Sequence, residues 1–155
     1  KFVVDVNDGG NILTPYPRVG YVCYDDDAIY FGVTVFAPDA TKLEGSMSSW
    51  WDNDEVEVFL DPNQKGNDIQ FGVTAGGFVS SDAIQAASSK DGIRWVVEIA
   101  VPWAAVNASA PKAGDKWGVN ICGHQVAYDS QWLAYNCTFG GFHNPSKYAT
   151  GIFGE

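Results

Sequence analysis

The segment from Trp50 to Asp61, WWDNDEVEVFLD, is the part of the sequence that most constrains the fold. From Glu55 onward its residues alternate with a period of two, which is the side-chain period of a β-strand. One face of this strand is apolar and requires a core: Val56, Val58 and Leu60. The other face combines acids with an aromatic ring: Glu55, Glu57, Phe59 and Asp61. The segment therefore predicts a strand with a core on one side and solvent or a ligand on the other.

Similar short runs recur along the chain between glycine, proline and aspartate turns. A Pro-rich loop is expected through Pro15 and Pro17, and a short helical turn after Pro102. The predicted strands are 2–6, 19–24, 29–36, 55–61, 68–74, 78–80, 93–101, 117–126 and 148–153. This spacing predicts an all-β fold, an antiparallel two-sheet β-sandwich of the immunoglobulin-like or jelly-roll-like kind. The 155 residues are enough for one domain spanning 1–155.

The formal net charge of −10 limits the classes of partner. Nucleic acids and anionic membrane surfaces are bound through clustered Lys and Arg, and the chain has only nine such residues. A run of about 20 apolar residues, which a membrane span needs, is also missing. We therefore expect neither partner, and a neutral ligand or a cation fits better.

The three cysteines are Cys23, Cys122 and Cys137. They form no CxxC pair, and with two histidines they do not give the spacing of a structural zinc site. Either Cys122 and Cys137 form a disulfide and leave Cys23 as a buried free thiol, or the cysteines are small free core residues. Lys1 already lies in a predicted strand with no signal peptide before it, which is expected of a mature or excised module.

Exposed aromatic rings beside hydrogen-bonding groups predict sugar binding, because C–H faces stack on rings while hydroxyls need polar partners. Trp51 is the first candidate platform, with Trp50 beside it and Glu57 as the acceptor. Trp132 and Tyr135, in a polar loop, are an alternative ring wall. The competing interpretation is a core strand with a tryptophan plug and solvated acids. The remaining tryptophans in apolar register are predicted to be core residues: Trp95, Trp103 and Trp117.

Six blocks in a fixed order resemble the family 9 carbohydrate-binding modules, from about Val19 onward: YDDDAIYFGVTV, WWDNDEVEVFLDP, IQFGV, WVVEIAVPW, AGDKWGVNI and GGFHNPSKY. The resemblance implies a non-catalytic sandwich domain attached to a larger secreted protein that acts on plant cell-wall polysaccharides such as xylan or cellulose. It also implies a sugar, in the best-known type a glycan reducing end, held between two aromatic rings. Some members of the family hold structural calcium.

Position by position, the resemblance implies Trp51 as one stacking ring and Phe142 as the other, with Glu57 accepting from sugar hydroxyls. His143 and Asn144, which follow Phe142, are candidate ligand contacts. An arginine of the sugar-binding members corresponds to Gly72 here. The neighbouring polar candidates on the same sheet face are Gln70 and Thr74. Replacing Gly72 by arginine is therefore expected to strengthen binding, since it would add a charged donor.

The remaining assignments are a metal site and two rival functions. Asp25 and Asp26, together with Asp61, are candidate oxygen ligands for a structural Ca²⁺ ion. A haem-binding sandwich with Met47 and His143 as axial ligands is a rival function.

A glycoside hydrolase that uses Glu57 and Glu98 is the less favoured rival, since Glu98 is also expected to pair with Arg94.

Overall fold

The computed structural model describes residues 1–46 and 48–154. Ten strands lie within these residues: β1 Phe2–Val6, β2 Leu13–Tyr24, β3 Ala28–Phe36, β4 Glu55–Asp61, β5 Ile69–Thr74, β6 Gln85–Asp91, β7 Arg94–Pro102, β8 Lys116–His124, β9 Trp132–Ala134 and β10 Ala149–Ile152. The helical segments among the described residues are short 3-10 turns: Ala40–Lys42, Trp50–Asp52, Pro62–Gln64, Trp103–Val106 and Pro145–Lys147. No helix in this part of the chain is long and apolar enough to cross a membrane.

The strands form two antiparallel sheets packed face to face. Sheet 1 has the order β1-β2-β3-β7-β6. Sheet 2 has the order β10-β8-β4-β5, and β9 pairs with the free part of β8. The predicted all-β antiparallel sandwich is therefore confirmed.

The core lies between the two sheets and is supplied by alternate residues of each strand. Val56, Val58 and Leu60 of β4 are fully buried against it, as their period of two predicts. The three tryptophans predicted as core residues are also buried: Trp95, Trp103 and Trp117. Trp103 and Trp117 make an edge-to-face contact with ring centroids 5.6 Å apart. The apolar pattern thus identified the inner layer correctly.

Strand β2 begins at Leu13, so the predicted Pro-rich loop is wrong. Pro15 and Pro17 lie inside this strand. Proline is tolerated here because the β1–β2 register shifts between Val4 and Val6, and pairing with β3 starts only at Arg18. The missing N–H groups therefore fall where the ladder is interrupted.

Two strands were not foreseen, and one predicted strand is absent. Strand β6 is mostly polar and lies at an edge of sheet 1, whereas β9 has only three residues and pairs with the end of β8. The predicted strand at 78–80 is reduced to a single bridge between Val73 and Val79. Ile93 lies in the turn before β7 rather than in the strand, and is 58% exposed. Strand β6 buries little and so shows no hydrophobic period, while β9 is too short to show one.

The outer face of β4 is not open to solvent, contrary to the competing interpretation of solvated acids. All seven residues of the strand are buried. Phe59 forms a second small core there with Cys122, Ala134 and Tyr148. Phe142 packs on this cluster from the loop above it. Loops therefore cover much of the outer face of sheet 2.

Arg18 crosses from sheet 1 into the interior and is 0% exposed. Its two terminal nitrogens donate to the carbonyl oxygens of Cys122 (3.0 Å) and His124 (2.8 Å). The guanidinium passes directly over Gly123, where a Cβ atom would lie 1.4 Å from Nη1. A glycine at this position of β8 is therefore required by the close approach of Arg18.

The three cysteines are free thiols in the structure. Cys122 is buried, Cys137 is half-buried, and Cys23 is exposed on sheet 1. The alternative with a Cys122–Cys137 disulfide and a buried Cys23 is therefore wrong on both points. Burial raises the pKa of the Cys122 thiol well above its usual range, which keeps the thiol protonated and unreactive.

Candidate functional site

A cleft of about 780 Å³ lies at the β9 end of the outer face of sheet 2. We call it the aromatic cleft, and its lining is Asn7, Asp8, Gly9, Ser130, Gln131, Trp132, Phe139, Gly140, Gly141 and Phe142. The first turn of the chain, the start of β9 and the loop at 138–142 each supply part of the wall. Two predicted site residues, Trp132 and Phe142, therefore share one concave surface.

Trp132 is held rigidly at the mouth of this cleft. Its ring stacks on His124 with centroids 4.0 Å apart and an interplanar angle of 12°. Phe142 meets Trp132 edge to face at 5.8 Å and 67°. Trp132 is nevertheless 38% exposed. One side of the indole is therefore packed, while the ring still offers apolar surface to a ligand.

His124 supports this platform as a neutral imidazole. It is 8% exposed, and neither ring nitrogen has a hydrogen-bond partner in the part of the chain that the structure describes. Burial lowers its pKa, and the nearby charge of Arg18 lowers it further. A flat, uncharged ring is thus kept beneath the indole.

Asp8 fixes the loop that forms the far wall. Its Oδ1 accepts hydrogen bonds from the backbone N–H (2.6 Å) and hydroxyl (2.7 Å) of Thr138. Its Oδ2 accepts from the Gly140 N–H at 2.9 Å. Burial acts to raise the pKa of Asp8, but these hydrogen bonds outweigh it and hold the pKa below its usual value. Gly140 has φ 129°, a conformation that favours glycine.

The tryptophan pair Trp50 and Trp51 lies at the β5 edge of sheet 2, on the 3-10 turn that precedes β4. This turn contacts β4, β5 and β8. The Trp50 ring covers Gly72, where a Cβ atom would lie 2.0 Å from Cζ3 of the indole. Trp51 packs edge to face on Trp50 at 5.9 Å and is 48% exposed. Trp51 is therefore an available ring, but it does not line the aromatic cleft.

The space above Gly72 is filled by Trp50, so an arginine there would have to displace the indole, and the expected gain in binding stays a prediction. Thr74 is also covered. It is 0% exposed beneath Gly45, and its hydroxyl accepts from the Phe78 N–H at 3.1 Å. The departure from the sugar-binding pattern at Gly72 thus has a structural reason, which is room for Trp50.

Glu57 and Gln70 lie on the predicted shared face, but their polar groups satisfy each other. Gln70 Nε2 donates to Glu57 Oε2, and Glu57 is only 1% exposed. Glu55 precedes Glu57 by two residues on the same face, and its Oε1 accepts from the His124 N–H at 2.5 Å. Burial raises the pKa of Glu57 and raises that of Glu55 well above its usual range.

The charge of Glu57 raises the pKa of Glu55 further, whereas the nearby charge of Arg18 acts to lower it. Among the described residues, Glu55 Oε2 is buried without a hydrogen-bond partner. Both carboxyl groups are buried on the outer face of sheet 2, so in this structure neither is a surface acceptor.

His143 and Asn144 lie on the opposite side of the loop from the aromatic cleft, in a neighbouring depression. His143 Nδ1 pairs with Asp68 Oδ2 at 2.8 Å, and its ring packs on the edge of Phe59. Asn144 Nδ2 donates to the Thr138 carbonyl at 3.3 Å. Both residues hold the loop that presents Phe142.

The structure does not bring Asp25, Asp26 and Asp61 together. In residues 1–46 and 48–154, no group of three or more His, Cys, Asp or Glu side chains could hold a metal ion. Asp25 accepts from the N–H groups of Asp27 and Ala28. Asp61 accepts from three N–H groups in the turn that follows β4. Both carboxylates cap turns, and calcium binding by this chain stays a prediction.

The structure describes three of the four residues proposed for the two rival functions. Met47, one proposed haem ligand, lies outside the described residues, and His143 is paired with Asp68. Glu98 is exposed on the outer face of sheet 1, whereas Glu57 is on the outer face of sheet 2, so they cannot flank one bond. Arg94 pairs with Asp91 at 2.7 Å rather than with Glu98.

Sequence reasoning missed several residues of the cleft. They are Asp8, Phe139, Gly140 and His124, none of which is among the candidate site residues of the sequence analysis. The available signal was the pair of glycine-rich segments, NDGGN and FGGFHN, whose contact is long-range. No local pattern reports such a contact.

Comparison with known proteins agrees with this fold. The model of the family described as carbohydrate family 9 binding domain-like matches residues 20–152. A carbohydrate-binding module of family 9 from Caldicellulosiruptor kristjanssonii, solved in complex with glucose, superposes with a TM-score of 0.77 at 19% identity, covering 94% of this chain and 81% of that chain. A structure described as a family 9 module from the same organism in complex with cellotriose gives a TM-score of 0.74 at 19% identity, covering 97% of this chain and 82% of that chain.

A comparison with curated proteins finds no match. At these identities the solved structures establish the fold, while the family match extends over most of the chain. Both agree with the order of sequence blocks described above. This protein therefore belongs to the non-catalytic family 9 of carbohydrate-binding domains.

Proposed function

We propose that this domain binds a neutral sugar in the aromatic cleft, on the rings of Trp132 and Phe142. The observation that carries the proposal is the state of Trp132, which is stacked on His124 yet 38% exposed at the mouth of the cleft. A ring that is already packed on one face loses less conformational freedom when a ligand stacks on the other. Ser130 and Gln131 supply a hydroxyl and an amide within the same lining.

The alternative placement, over Glu57 and Gly72 as the resemblance implies, is less well supported. Glu57 is buried against Gln70, Gly72 is covered by Trp50, and Thr74 lies beneath Gly45. The groups that would contact sugar hydroxyls there are occupied by the protein itself. Trp51 remains exposed and is the ring that distinguishes the two placements.

For the ligand, we propose glucose-based plant cell-wall oligosaccharides and polysaccharides. The Caldicellulosiruptor relatives are described in complex with glucose and with cellotriose, which supports this choice. The net charge of −10 disfavours uronic acids and other anionic sugars. We propose further that the domain is part of a larger secreted protein and targets it to such a polysaccharide.

The test is calorimetric titration with glucose and cellotriose of the wild type and three variants. Each stacked ring contributes on the order of 1 kcal/mol beyond burial, so micromolar to millimolar affinity is expected. Trp132→Ala should weaken binding by about tenfold or more, and Trp51→Ala should weaken it much less. Tyr135→Ala is the matched control, because Tyr135 is 39% exposed but packs on Phe2 outside the cleft. Melting curves should show that all variants are folded.

Loss of binding in Trp51→Ala with full binding in Trp132→Ala would place the sugar over β4 and β5 and refute the cleft. A second titration compares cellotriose with its reduced alditol. Since no arginine is present at Gly72 to anchor an anomeric hydroxyl, we expect similar affinities. Loss of binding on reduction would instead establish recognition of the reducing end.

A further inference from the structure

A second groove, of about 590 Å³, lies on the opposite side of the molecule from the aromatic cleft. It crosses the outer face of sheet 1, and we call it the sheet 1 groove. Its floor consists of small residues on three adjacent strands: Gly32, Ala87 and Ala100. Tyr21 and Tyr30 rise beside the floor, and Gln85 and Glu98 supply polar groups.

Gly32 is the residue that calls for an explanation. It lies in the middle of β3, the central strand of sheet 1, where glycine costs about 0.5–1 kcal/mol relative to alanine. Its φ is not positive, and an added Cβ atom would meet nothing within 4 Å. Every other glycine within the described strands has a protein atom within 3.2 Å of the position its Cβ would take. Nothing inside the protein therefore requires glycine at this position.

A glycine in a strand that the fold does not require indicates close approach by something outside the fold. Gly32 is paired with Tyr21 on one side and with Glu98 on the other. An occupant seated on Gly32 would therefore have an aromatic ring and a carboxylate as its immediate neighbours. A side chain at this position would fill the floor of the groove.

The two tyrosines are presented differently. Tyr21 is 61% exposed. Tyr30 is half-buried, and its hydroxyl donates to Asp25 Oδ2 at 2.9 Å. Because the same carboxylate is fixed by two backbone N–H groups, the Tyr30 ring has a defined position. One wall is thus preformed, and the other is freely accessible.

We propose that the sheet 1 groove is a second binding site, and that its ligand is a neutral oligosaccharide chain. Rings suited to sugar C–H faces lie beside a carboxylate and an amide suited to hydroxyls. A second copy of the chain is disfavoured, since Glu98 and the net charge of −10 would face the same charge in the partner. This proposal goes beyond the proposed function, because the two sites lie on opposite sheets.

The test is an NMR titration of the isotope-labelled domain with three neutral probes: cellohexaose, xylohexaose and mannohexaose. At least one probe should shift the backbone amide signals of Gly32, Ala87 and Ala100. Gly32→Val should abolish these shifts while retaining the melting temperature, because space for the side chain exists. Tyr21→Ala should weaken groove binding by about tenfold or more. Thr34→Val, on the same face but outside the groove, is the control.

The readout separates the two proposals because each site has its own signals. Shifts at Gly32 that persist in Trp132→Ala support the groove even when the aromatic cleft is silent. If no probe shifts the groove amides, or if Gly32→Val and Tyr21→Ala leave their shifts unchanged, the groove is not a sugar site. Shifts of the same amides with protein concentration alone, without sugar, would identify a self-association surface and also overturn the proposal.

Discussion

Replacing Gly72 with alanine should destabilise the fold through Trp50. The ideal Cβ position at Gly72 lies 2.0 Å from Cζ3, 2.5 Å from Cη2 and 2.8 Å from Cε3 of the indole. Ordinary carbon contacts are about 3.5–4.0 Å, so the ring would have to move by roughly 1.5–2 Å. Trp50 lies between this strand and Phe78, and the Trp50 and Phe78 ring centroids are 6.5 Å apart. Trp51 packs against the other part of the indole.

Overpacking of this kind costs about 1–3 kcal/mol of unfolding free energy. For a domain of this size, that corresponds to a fall in melting temperature of roughly 2–12 °C. The measurement is urea denaturation of a double-mutant cycle with Gly72→Ala, Trp50→Ala and the combined variant. Without the indole, alanine at this strand position should be neutral or stabilising by about 0.5–1 kcal/mol. A coupling energy of at least about 1 kcal/mol is therefore expected.

Equal costs of Gly72→Ala with and without Trp50 would refute this account. The same cycle with Gly72→Arg examines ligand binding. Arginine alone should displace Trp50 and lower stability, so any gain in sugar affinity should require Trp50→Ala as well. A gain in affinity from Gly72→Arg alone, at unchanged stability, would show that Trp50 does not occupy this space in solution.

Three further predictions concern titration, thiols and metal. The pKa of Glu55 is raised in the folded state, so the native protein binds this proton more tightly than the unfolded chain, and stability should fall as pH rises from about 4.5. Glu55→Gln should remove this loss, so its melting temperature should gain on the wild type as the pH rises above about 4.5. Parallel curves would contradict the raised pKa of Glu55. A thiol reagent should modify Cys23 quickly and Cys122 only after unfolding, and reductant should leave the melting temperature unchanged. Calcium binding predicts a fall of several degrees in excess chelator, and an unchanged curve would exclude it.

The strongly amphipathic strands could be predicted from the sequence, and the weakly amphipathic ones could not. Strand β4 was bounded correctly because its alternation covers seven residues and both ends are marked by turn chemistry. Strand β6 reads QAASSKD and gains its pairing from β7 rather than from burial of its own side chains. Strand β6 forms because the edge of β7 is available for pairing, and the local sequence of β6 contains no sign of that edge.

For the site, the sequence identified the rings but not their surroundings. The face shared by Glu57, Gln70, Gly72 and Thr74 was predicted correctly from a period of two. Whether that face is open depends on loops, and two separate segments cover it, at Gly45 and at Trp50. Trp132 was assigned to a loop, although it begins β9 and stacks on His124. Contacts between distant segments decided each of these differences.

Arg18 also has a consequence for how the chain selects its strand pairing. Its guanidinium binds the carbonyls of residues 122 and 124, which point to the same side of β8 because successive carbonyls alternate. If β8 slipped by one residue, carbonyls of the opposite orientation would face Arg18, and Gly123 would no longer leave room for it. A buried cation without partners costs several kcal/mol, so slipped sandwiches are penalised far more than a purely apolar interior would penalise them. A single buried charge thereby discriminates between the native sandwich and its misregistered competitors during folding.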